Sequence, residues 1–252
     1  MAVQALESYS VGKKQKNEVE VSILLPAYNE AKTIQGTILE FYNEIATRVP
    51  AEIIVSEDGS NDGTREALIE LSRKIPLKLV LGKERKGYMM GVKDGLKLVD
   101  SEFVFFADSD GQHIASDFWK LYEKRKDYDL IVGKKIKRVD PPHRILISIV
   151  FHFLVHVLFK LPLRDPDTAY RLIRWKVVED IADETNILKY SFWTEFTVRA
   201  FKKGYRVAEV PVIHRNRLDG PTRLYNGTKL VSIVLSQLMG LFKLYKEING
   251  SR

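Results

Sequence analysis

Apolar and polar positions alternate along the first half of this chain in segments of two different periods. Short runs rich in Val, Ile, Leu and Phe are typical of buried strands, and the segments between them have the 3.6-residue period of amphipathic helices. The predicted strands are 19–25, 52–56, 77–81, 103–107 and 129–132, and the predicted helices are 30–48, 62–74, 87–98 and 116–126. This alternation predicts an α/β fold with a mainly parallel sheet flanked by helices on both faces.

The pattern changes after Gly133. Residues 134–144 are strongly basic, which is typical either of a solvated loop or of a loop that faces phosphate or a membrane. Residues 145–159 are then apolar, and this stretch is shorter than the roughly 20 residues that span hydrocarbon. Three polar residues interrupt it: Ser148, His152 and His156. A membrane-spanning helix, a fully buried helix and a helix at the bilayer interface are all compatible with this stretch. We favour the interface helix and place it at 144–161.

A second amphipathic segment covers residues 229–252. Its apolar positions run from Leu230 to Phe242, and charged residues then interleave with apolar ones. The segment either docks on the rest of the chain or contacts the membrane, and the pattern favours neither. Taking the two segments together, we expect amphipathic interface helices and a peripheral association of the protein with the cytoplasmic face of a membrane.

Composition narrows the classes of function. The 252 residues include no cysteine, which excludes a disulfide scaffold, a thiolate metal site and a cysteine nucleophile. The net charge of +7 suits phosphate-bearing ligands, anionic lipid or nucleic acid, but no DNA- or RNA-binding motif is present, so we expect no nucleic-acid partner. Residues 1–18 lack the apolar core of a signal peptide and are expected to be a flexible leader to a domain at 19–228.

Two aspartates one residue apart end the apolar run at 103–107. Asp108 and Asp110 can converge on one cation, because the residue between them points away. A hard divalent cation held in this way usually takes its other ligands from water and substrate phosphates. An ordinary acidic turn is the alternative. Two other strand ends support the interpretation of this motif as a metal–diphosphate site.

Polar residues also follow the strands at 19–25 and 52–56. The first strand leads into Pro26-Ala27-Tyr28-Asn29-Glu30, and the second into the acidic and glycine-rich segment 57–64. The carboxyl ends of strands in open α/β sheets are where nucleotides bind. The three strand ends together predict a nucleotide site.

These three motifs, in this order and spacing, resemble those of the family-two glycosyltransferases of GT-A (Rossmann-like) fold. Within that family the chain is most similar to the dolichyl- and polyprenyl-phosphate sugar synthases. Segments 165–171 (DPDTAYR), 208–212 (AEVPV) and 217–223 (RLDGPTR) resemble further elements of those enzymes. The similarity covers roughly residues 19–225.

The resemblance, together with the residue chemistry, implies roles for individual positions. The metal, Mg²⁺ or Mn²⁺, would be held by Asp108, Asp110 and Gln112. Nucleotide-sugar binding is expected from Pro26, Tyr28, Glu30, Asp58, Gly87, Ser109, Arg217 and Arg223. Acceptor-phosphate binding is expected from Lys134, Lys135 and Arg144, and the catalytic group comprises Asp108, Asp110, Arg144 and Arg217.

The implied activity is an inverting transfer of a hexose to dolichyl or polyprenyl monophosphate. The donor is GDP-mannose or UDP-glucose, and mannose is favoured. The alternative is a family-two transferase that acts on a sugar hydroxyl, for which Glu195 is the candidate base. The chain departs from the family pattern in three segments: Glu57 replaces an aspartate, Lys134-Lys135 replace Ser-Arg, and Thr168-Ala169-Tyr170 replace Ser-Gly-Phe.

Overall fold

The computed structural model describes residues 7–10, 18–136, 142–216 and 230–250. Its contacts divide the chain into two compact units. The first contains residues 1–119 and 215–219, and the second contains residues 120–214 and 220–252. The predicted α/β architecture with mainly parallel strands is confirmed.

The first unit contains strands in the order β1-β4-β3-β2-β5. Their bounds are Glu7–Ser10 (β1), Val21–Ala27 (β2), Ala51–Glu57 (β3), Lys78–Leu81 (β4) and Phe103–Phe106 (β5). Strands β2 to β5 pair in parallel, which explains their nearly continuous apolar sequences, since such strands are buried on both faces.

The register of these strands decides where the site forms. Ala27 at the end of β2 pairs with Glu57 at the end of β3, and Leu24 pairs with Phe106 at the end of β5. The loops that follow β2, β3 and β5 therefore leave the same edge of the sheet.

The helices of the first unit follow the predicted positions within a few residues. They are α1 (Ile34–Phe41, continued by a π-helical turn, Tyr42–Ala46), α2 (Thr64–Ser72) and α3 (Tyr88–Leu96), and a 3₁₀ turn at Ala115–Asp117 leads into α4 (Phe118–Tyr122). Helix α3 packs closely on β2 and β3 because Gly95 has no side chain: a Cβ atom there would lie 2.4 Å from a methyl carbon of Leu24.

Strand β1 corrects part of the predicted leader. Residues Glu7–Ser10 were expected to be mobile, but they pair antiparallel with β4, Glu7 opposite Leu81 and Ser10 opposite Lys78. An unpaired sheet edge offers a row of free N–H and C=O groups, and a short polar segment without local periodicity can satisfy them. The remainder of the leader, apart from Glu18, lies outside the described residues.

The second unit is built around β6 (Leu130–Ile136), which pairs antiparallel with β7 (Arg171–Arg174) and parallel with β8 (Val207–Ile213). Its helices are α5 (Pro142–Phe159), α6 (Trp175–Ile181), α7 (Phe192–Lys202) and α8 (Leu230–Gly250). Gly133 lets β6 and β8 approach, because a Cβ atom there would lie 2.9 Å from Val212.

Helices α5 and α8 occupy the two segments predicted to be interface helices. They meet where the rings of Phe159 and Tyr245 pack 6.1 Å apart. Helix α5 is not a buried core helix, since Leu146 and Phe153 are more than 60% exposed. No helix within the described ranges is long and apolar enough to cross a membrane.

Candidate functional site

The loop after β5 carries the two aspartates predicted to bind metal. Gly111 adopts a φ of 75°, which turns the chain so that the backbone N–H of Gln112 donates to Asp110 Oδ1 at 3.1 Å. Asp108 keeps 37% of its side chain exposed, and the buried ring of His113 lies behind it with Nε2 3.9 Å from Asp108 Oδ2. The turn thus presents carboxylate oxygens at the rim of the sheet.

Gln112 completes an all-oxygen donor set. Its Nε2 donates to the carbonyl oxygen of Arg215 at 3.1 Å, and because a carbonyl only accepts, the amide oxygen Oε1 must occupy the other side. Among the residues that the structure describes, no group of three or more His, Cys, Asp and Glu side chains could hold a metal. The two carboxylates of Asp108 and Asp110 and the amide of Gln112 offer the oxygen ligands that suit a hard cation such as Mg²⁺ or Mn²⁺, which keeps waters and takes substrate oxygens.

The loops after β2 and β3 are hydrogen-bonded to each other. Asn29, with a φ of 55°, donates its N–H to Ser60 Oγ at 2.9 Å and accepts from the N–H of Asn61 at 2.9 Å. The N–H of Glu30 donates to Thr64 Oγ1 at 2.8 Å. These bonds hold the predicted nucleotide-binding segment 26–30 in one conformation.

Ser109 joins the loop after β5 to the same assembly. Its buried hydroxyl donates to the carbonyl oxygen of Pro26 at 2.8 Å. The predicted nucleotide-sugar residues Pro26 and Ser109 are therefore brought together, and the hydroxyl of Ser109 braces the loops.

Asp58 has a structural partner that the sequence did not indicate. Its carboxylate accepts the N–H groups of Lys86 at 2.7 Å and Gly87 at 2.8 Å, where Gly87 has a φ of 97° at the start of α3. Asp58 thus shapes the turn in which Gly87 was predicted to approach a diphosphate. Arg85, in the same turn, places its guanidinium 4.2 Å from the ring centre of Tyr28.

The structure accounts for glutamate at position 57. The buried carboxylate of Glu57 accepts the N–H of Ser60 and lies 3.3 Å from a guanidinium nitrogen of Arg65 on α2. The longer glutamate side chain contacts both the turn and the following helix.

A cavity of about 320 Å³ lies in the second unit. Its cationic wall contains Lys134 and Lys135, the two lysines predicted to bind the acceptor phosphate, together with Arg164. Two histidines on one face of α5, His152 and His156, also line it. Sequence reasoning missed Arg164 and the histidines as site residues, although the spacing of four residues was the signal that the two rings share a helical face.

Another part of the cavity wall is apolar and comes from α5 and from residue 163. Ile149, Phe153 and Leu163 give it an apolar wall.

Arg144 lies in the first turn of α5, but its side chain is not among those described, and Arg217 and Arg223 lie outside the described residues. Their predicted roles remain predictions.

Glu209 holds the backbone of two residues that line the cavity. This residue of β8 accepts the N–H groups of Arg164 at 2.8 Å and Asp165 at 2.7 Å through one carboxylate oxygen. Asp165 in turn accepts the N–H of Lys135 at 3.4 Å. The AEVPV and DPDTAYR segments therefore interlock below the lysines.

Arg171 organises the next part of that loop from inside the protein. It is fully buried, donates to the carbonyl oxygens of Pro166 and Thr168, and stacks 4.3 Å from the ring centre of Trp193. Arg171 shapes the loop from beneath, and its guanidinium does not face solvent.

Asp167, in the same loop, has a carboxyl whose pKa is raised. Burial raises the pKa of its carboxyl to about 6, against the lowering effect of hydrogen bonds from Thr194 and with a further rise from the nearby Asp165. Asp167 Oδ1 accepts both the N–H and the hydroxyl of Thr194, at 3.2 and 3.0 Å.

Glu195, the candidate base of the hydroxyl-acceptor alternative, is fully buried. Its carboxylate accepts three consecutive backbone N–H groups, those of Asn186 at 3.1 Å, Ile187 at 2.7 Å and Leu188 at 2.7 Å. It also pairs with Arg199 at 2.9 Å. A carboxylate with this set of donors and no exposed surface is a structural anchor for residues 186–188.

Comparison with known proteins agrees with this geometry. The family described as "Glycosyl transferase family 2" matches residues 22–182. Glycosyltransferase AglD of Haloferax volcanii is 29% identical over 207 residues, 77% of this chain and 33% of its own length. Dolichyl-phosphate beta-glucosyltransferase ALG5A of Trichomonas vaginalis is 25% identical over 90% of this chain and 76% of its own length. Dolichol-phosphate mannosyltransferase of Pyrococcus furiosus is 27% identical over 90% of this chain and 64% of its own length. The chain thus spans a third to about three quarters of these relatives.

Solved structures share the fold. Glucosyl-3-phosphoglycerate synthase of Mycobacterium tuberculosis, in complex with Mn²⁺ and UDP, superposes with a TM-score of 0.70 at 17% identity, covering 91% of this chain and 81% of that one. Mannosyltransferase PcManGT of Pyrobaculum calidifontis, in complex with GDP-Man and Mn²⁺, gives a TM-score of 0.63 at 18% identity over 93% of this chain and 66% of that one. Because the family match covers more than half of the chain, the protein belongs to glycosyltransferase family 2.

Proposed function

We propose that this glycosyltransferase moves a hexose from a nucleotide sugar to dolichyl or polyprenyl monophosphate, with inversion at the anomeric carbon. One observation carries the choice of acceptor: the cationic cavity of the second unit shares residues with an exposed apolar helix face. Ile149 and Phe153 line the cavity, yet they are 57% and 64% exposed on α5.

A lipid phosphate matches both parts of that surface. Lys134, Lys135 and Arg164 supply charged donors for phosphate oxygens, which form short, strong hydrogen bonds with cations. The apolar face of α5 supplies a surface for the first isoprene units. Two of the relatives named above are, by name, enzymes of dolichyl phosphate, which supports this acceptor class.

The reaction joins an acceptor phosphate oxygen to the anomeric carbon as the bond from that carbon to the nucleoside diphosphate breaks. A phosphate monoester has its second pKa near about 6, so it is already mostly ionised at neutral pH and needs placement by cations more than a general base. The burial of Glu195 is consistent with a reaction that does not need that residue as a base.

Asp108, Asp110 and Gln112 would hold Mg²⁺ or Mn²⁺ in this enzyme. The cation, when bound, neutralises the negative charge that grows on the departing diphosphate. The chain contributes the braced loops: Ser109 and Asn29 hold the nucleotide-binding segment, and Asp58 holds the turn at Gly87. We assign Arg217 and Arg223 to the diphosphate and Arg144 to the acceptor phosphate, following the motif match.

Mannose from GDP-mannose is our first choice of donor, and glucose from UDP-glucose is the second. The relatives include proteins named for each sugar.

We also propose that this chain associates peripherally with the cytoplasmic face of a membrane. Large apolar side chains are exposed on both interface helices: Leu146, Ile149, Val150, Phe153 and Val157 on α5, and Leu235, Met239 and Phe242 on α8. The net charge of +7 favours an anionic lipid surface.

The test is a transfer assay with purified protein, Mn²⁺, labelled GDP-mannose or UDP-glucose, and a polyprenyl monophosphate in detergent. Label that enters the organic phase, is lost with EDTA and yields a β-linked product would support the proposal and identify the donor. A retained anomeric configuration, or metal-dependent transfer only to a sugar hydroxyl, would contradict it.

A further inference from the structure

Glu40, on α1, binds two parts of the first unit that are far apart in sequence. Its carboxylate accepts both terminal guanidinium nitrogens of Arg215, at 2.6 and 3.3 Å, and the backbone N–H of Ala115 at 3.0 Å. Glu40 and Arg215 are 175 positions apart, and neither belongs to a motif that the sequence singled out.

Arg215 is joined in turn to the metal-binding loop through its backbone. Its N–H donates to the carbonyl oxygen of Gln112 at 2.8 Å, and its own carbonyl accepts Gln112 Nε2 at 3.1 Å. Gln112 is therefore held at both its main chain and its amide. Its N–H also donates to Asp110 Oδ1 at 3.1 Å, so the chain of bonds from Glu40 reaches a predicted metal ligand.

The bond to the Arg215 carbonyl decides which way the Gln112 amide faces. While that carbonyl is in place, the amide nitrogen has an acceptor and the oxygen Oε1 is the end left for a cation. If the Arg215 backbone shifts, the amide can rotate and offer its NH₂ group, which binds no cation. Groups behind a ligand often change metal affinity by about 10-fold to 100-fold in this way.

We propose that Glu40 is a positioning residue for the metal site: through Arg215 it holds Gln112 with its amide oxygen available to the cation. The inference rests on the metal-dependent reaction proposed above. It adds a residue on α1, outside the strand-end motifs, that controls the affinity of the site for Mn²⁺ in the presence of nucleotide.

The helix supplies a matched control at Glu44. This carboxylate, four residues further on, also pairs with an arginine, Arg48 at 2.8 Å, and with one N–H donor, the indole of Trp119 at 2.9 Å. Both partners of Glu44, at positions 48 and 119, lie outside the 108–112 loop. The Glu40–Arg215 pair is about one third exposed, so its loss should cost little folding stability and the variants should fold.

The experiment measures Mn²⁺ binding by electron paramagnetic resonance, with GDP and with UDP present, in the wild type, Glu40→Gln, Arg215→Gln, the double variant and Glu44→Gln. We expect Glu40→Gln and Arg215→Gln each to weaken Mn²⁺ binding by about 10-fold. The double variant should be no weaker than either, because both substitutions release the same backbone, and Glu44→Gln should match the wild type.

Each result decides the inference. Equal Mn²⁺ affinity in Glu40→Gln and the wild type would overturn it while leaving the proposed function intact. A similar loss in Glu44→Gln would also overturn it, since the effect would then come from α1 in general. Wild-type protein that binds no Mn²⁺ with either nucleotide would overturn both the inference and the metal-dependent reaction.

Discussion

The strand-end loops of the first unit and the cavity of the second unit are built in different ways. In the first unit, motif side chains such as Asn29, Ser109 and Asp58 hydrogen-bond to the backbone of neighbouring loops. In the second unit, the side chains of Lys134 and Arg164 line the cavity, while Glu209 and the buried Arg171 hold the backbone of the loop at 164–168.

The first region therefore depends on the conformation of its loops, and the second on the charge and polarity of single side chains. A substitution in the strand-end loops changes the conformation of several loops at once, because each braces another. A substitution on the cavity wall removes one charge or one apolar contact and leaves the backbone in place. The two regions should therefore fail differently when they are mutated.

The largest expected effect is at the loop after β5, which carries the predicted metal ligands Asp108 and Asp110. Asp110→Asn keeps an oxygen that can accept the Gln112 N–H but removes the charge that would anchor a cation. We expect kcat/KM for sugar transfer to fall by at least about 100-fold, as when a transition-state stabilising group is lost. Initial rates measured with and without EDTA check this, with the exposed Asp127→Asn as the control. Full activity in Asp110→Asn would remove this loop from the site.

Glu195 tests whether a buried carboxylate of the second unit acts in structure or in catalysis. Glu195→Gln replaces one of the two accepting oxygens with an NH₂ group, so it removes the charge that pairs with Arg199 and leaves part of the donor set without an acceptor. We expect a loss of about 3 kcal/mol in the free energy of unfolding. Denaturant unfolding measures it, and Glu184→Gln, which removes an exposed partner of Arg199, is the matched control. Unchanged stability with a collapsed kcat would favour the hydroxyl-acceptor alternative.

The cavity wall should respond in acceptor affinity alone. Lys135→Ala or Lys134→Ala removes one charged donor, and we expect the KM for polyprenyl phosphate to rise about 10-fold. The KM for the nucleotide sugar should stay constant, because the strand-end loops are untouched. Steady-state kinetics with each substrate varied, and with the exposed Lys189→Ala as control, separates the two. A change confined to the donor KM would move these lysines out of the acceptor site.

The smallest expected effect concerns pH. The pKa of Asp167 is raised from its usual 3.8 to about 6, so the folded state favours the protonated carboxyl and wild-type stability falls as pH rises through that window. Asp167→Asn keeps an oxygen for Thr194 and does not titrate. Its unfolding free energy, relative to the wild type, should rise by up to about 2 kcal/mol between pH 4 and pH 7. A difference that does not vary with pH would show that this carboxyl does not titrate there.

Periodicity and motif order were sufficient for the fold and for the common sheet edge at which the candidate site residues lie. Strands β2, β3 and β5 begin and end within about two residues of the prediction, because buried parallel strands require continuous apolar runs. The polar residues that follow them are local in sequence, so their common edge follows from the parallel order.

Tertiary structure decided the partners of the polar side chains. Asp58 on the Gly87 turn, Glu195 on the backbone of residues 186–188 and Glu40 on Arg215 each depend on segments that meet only after folding. The sequence does not distinguish a carboxylate that accepts buried N–H groups from one that faces a ligand. Which of the two it does is set by burial and by donors that, like Arg215, come from distant parts of the chain.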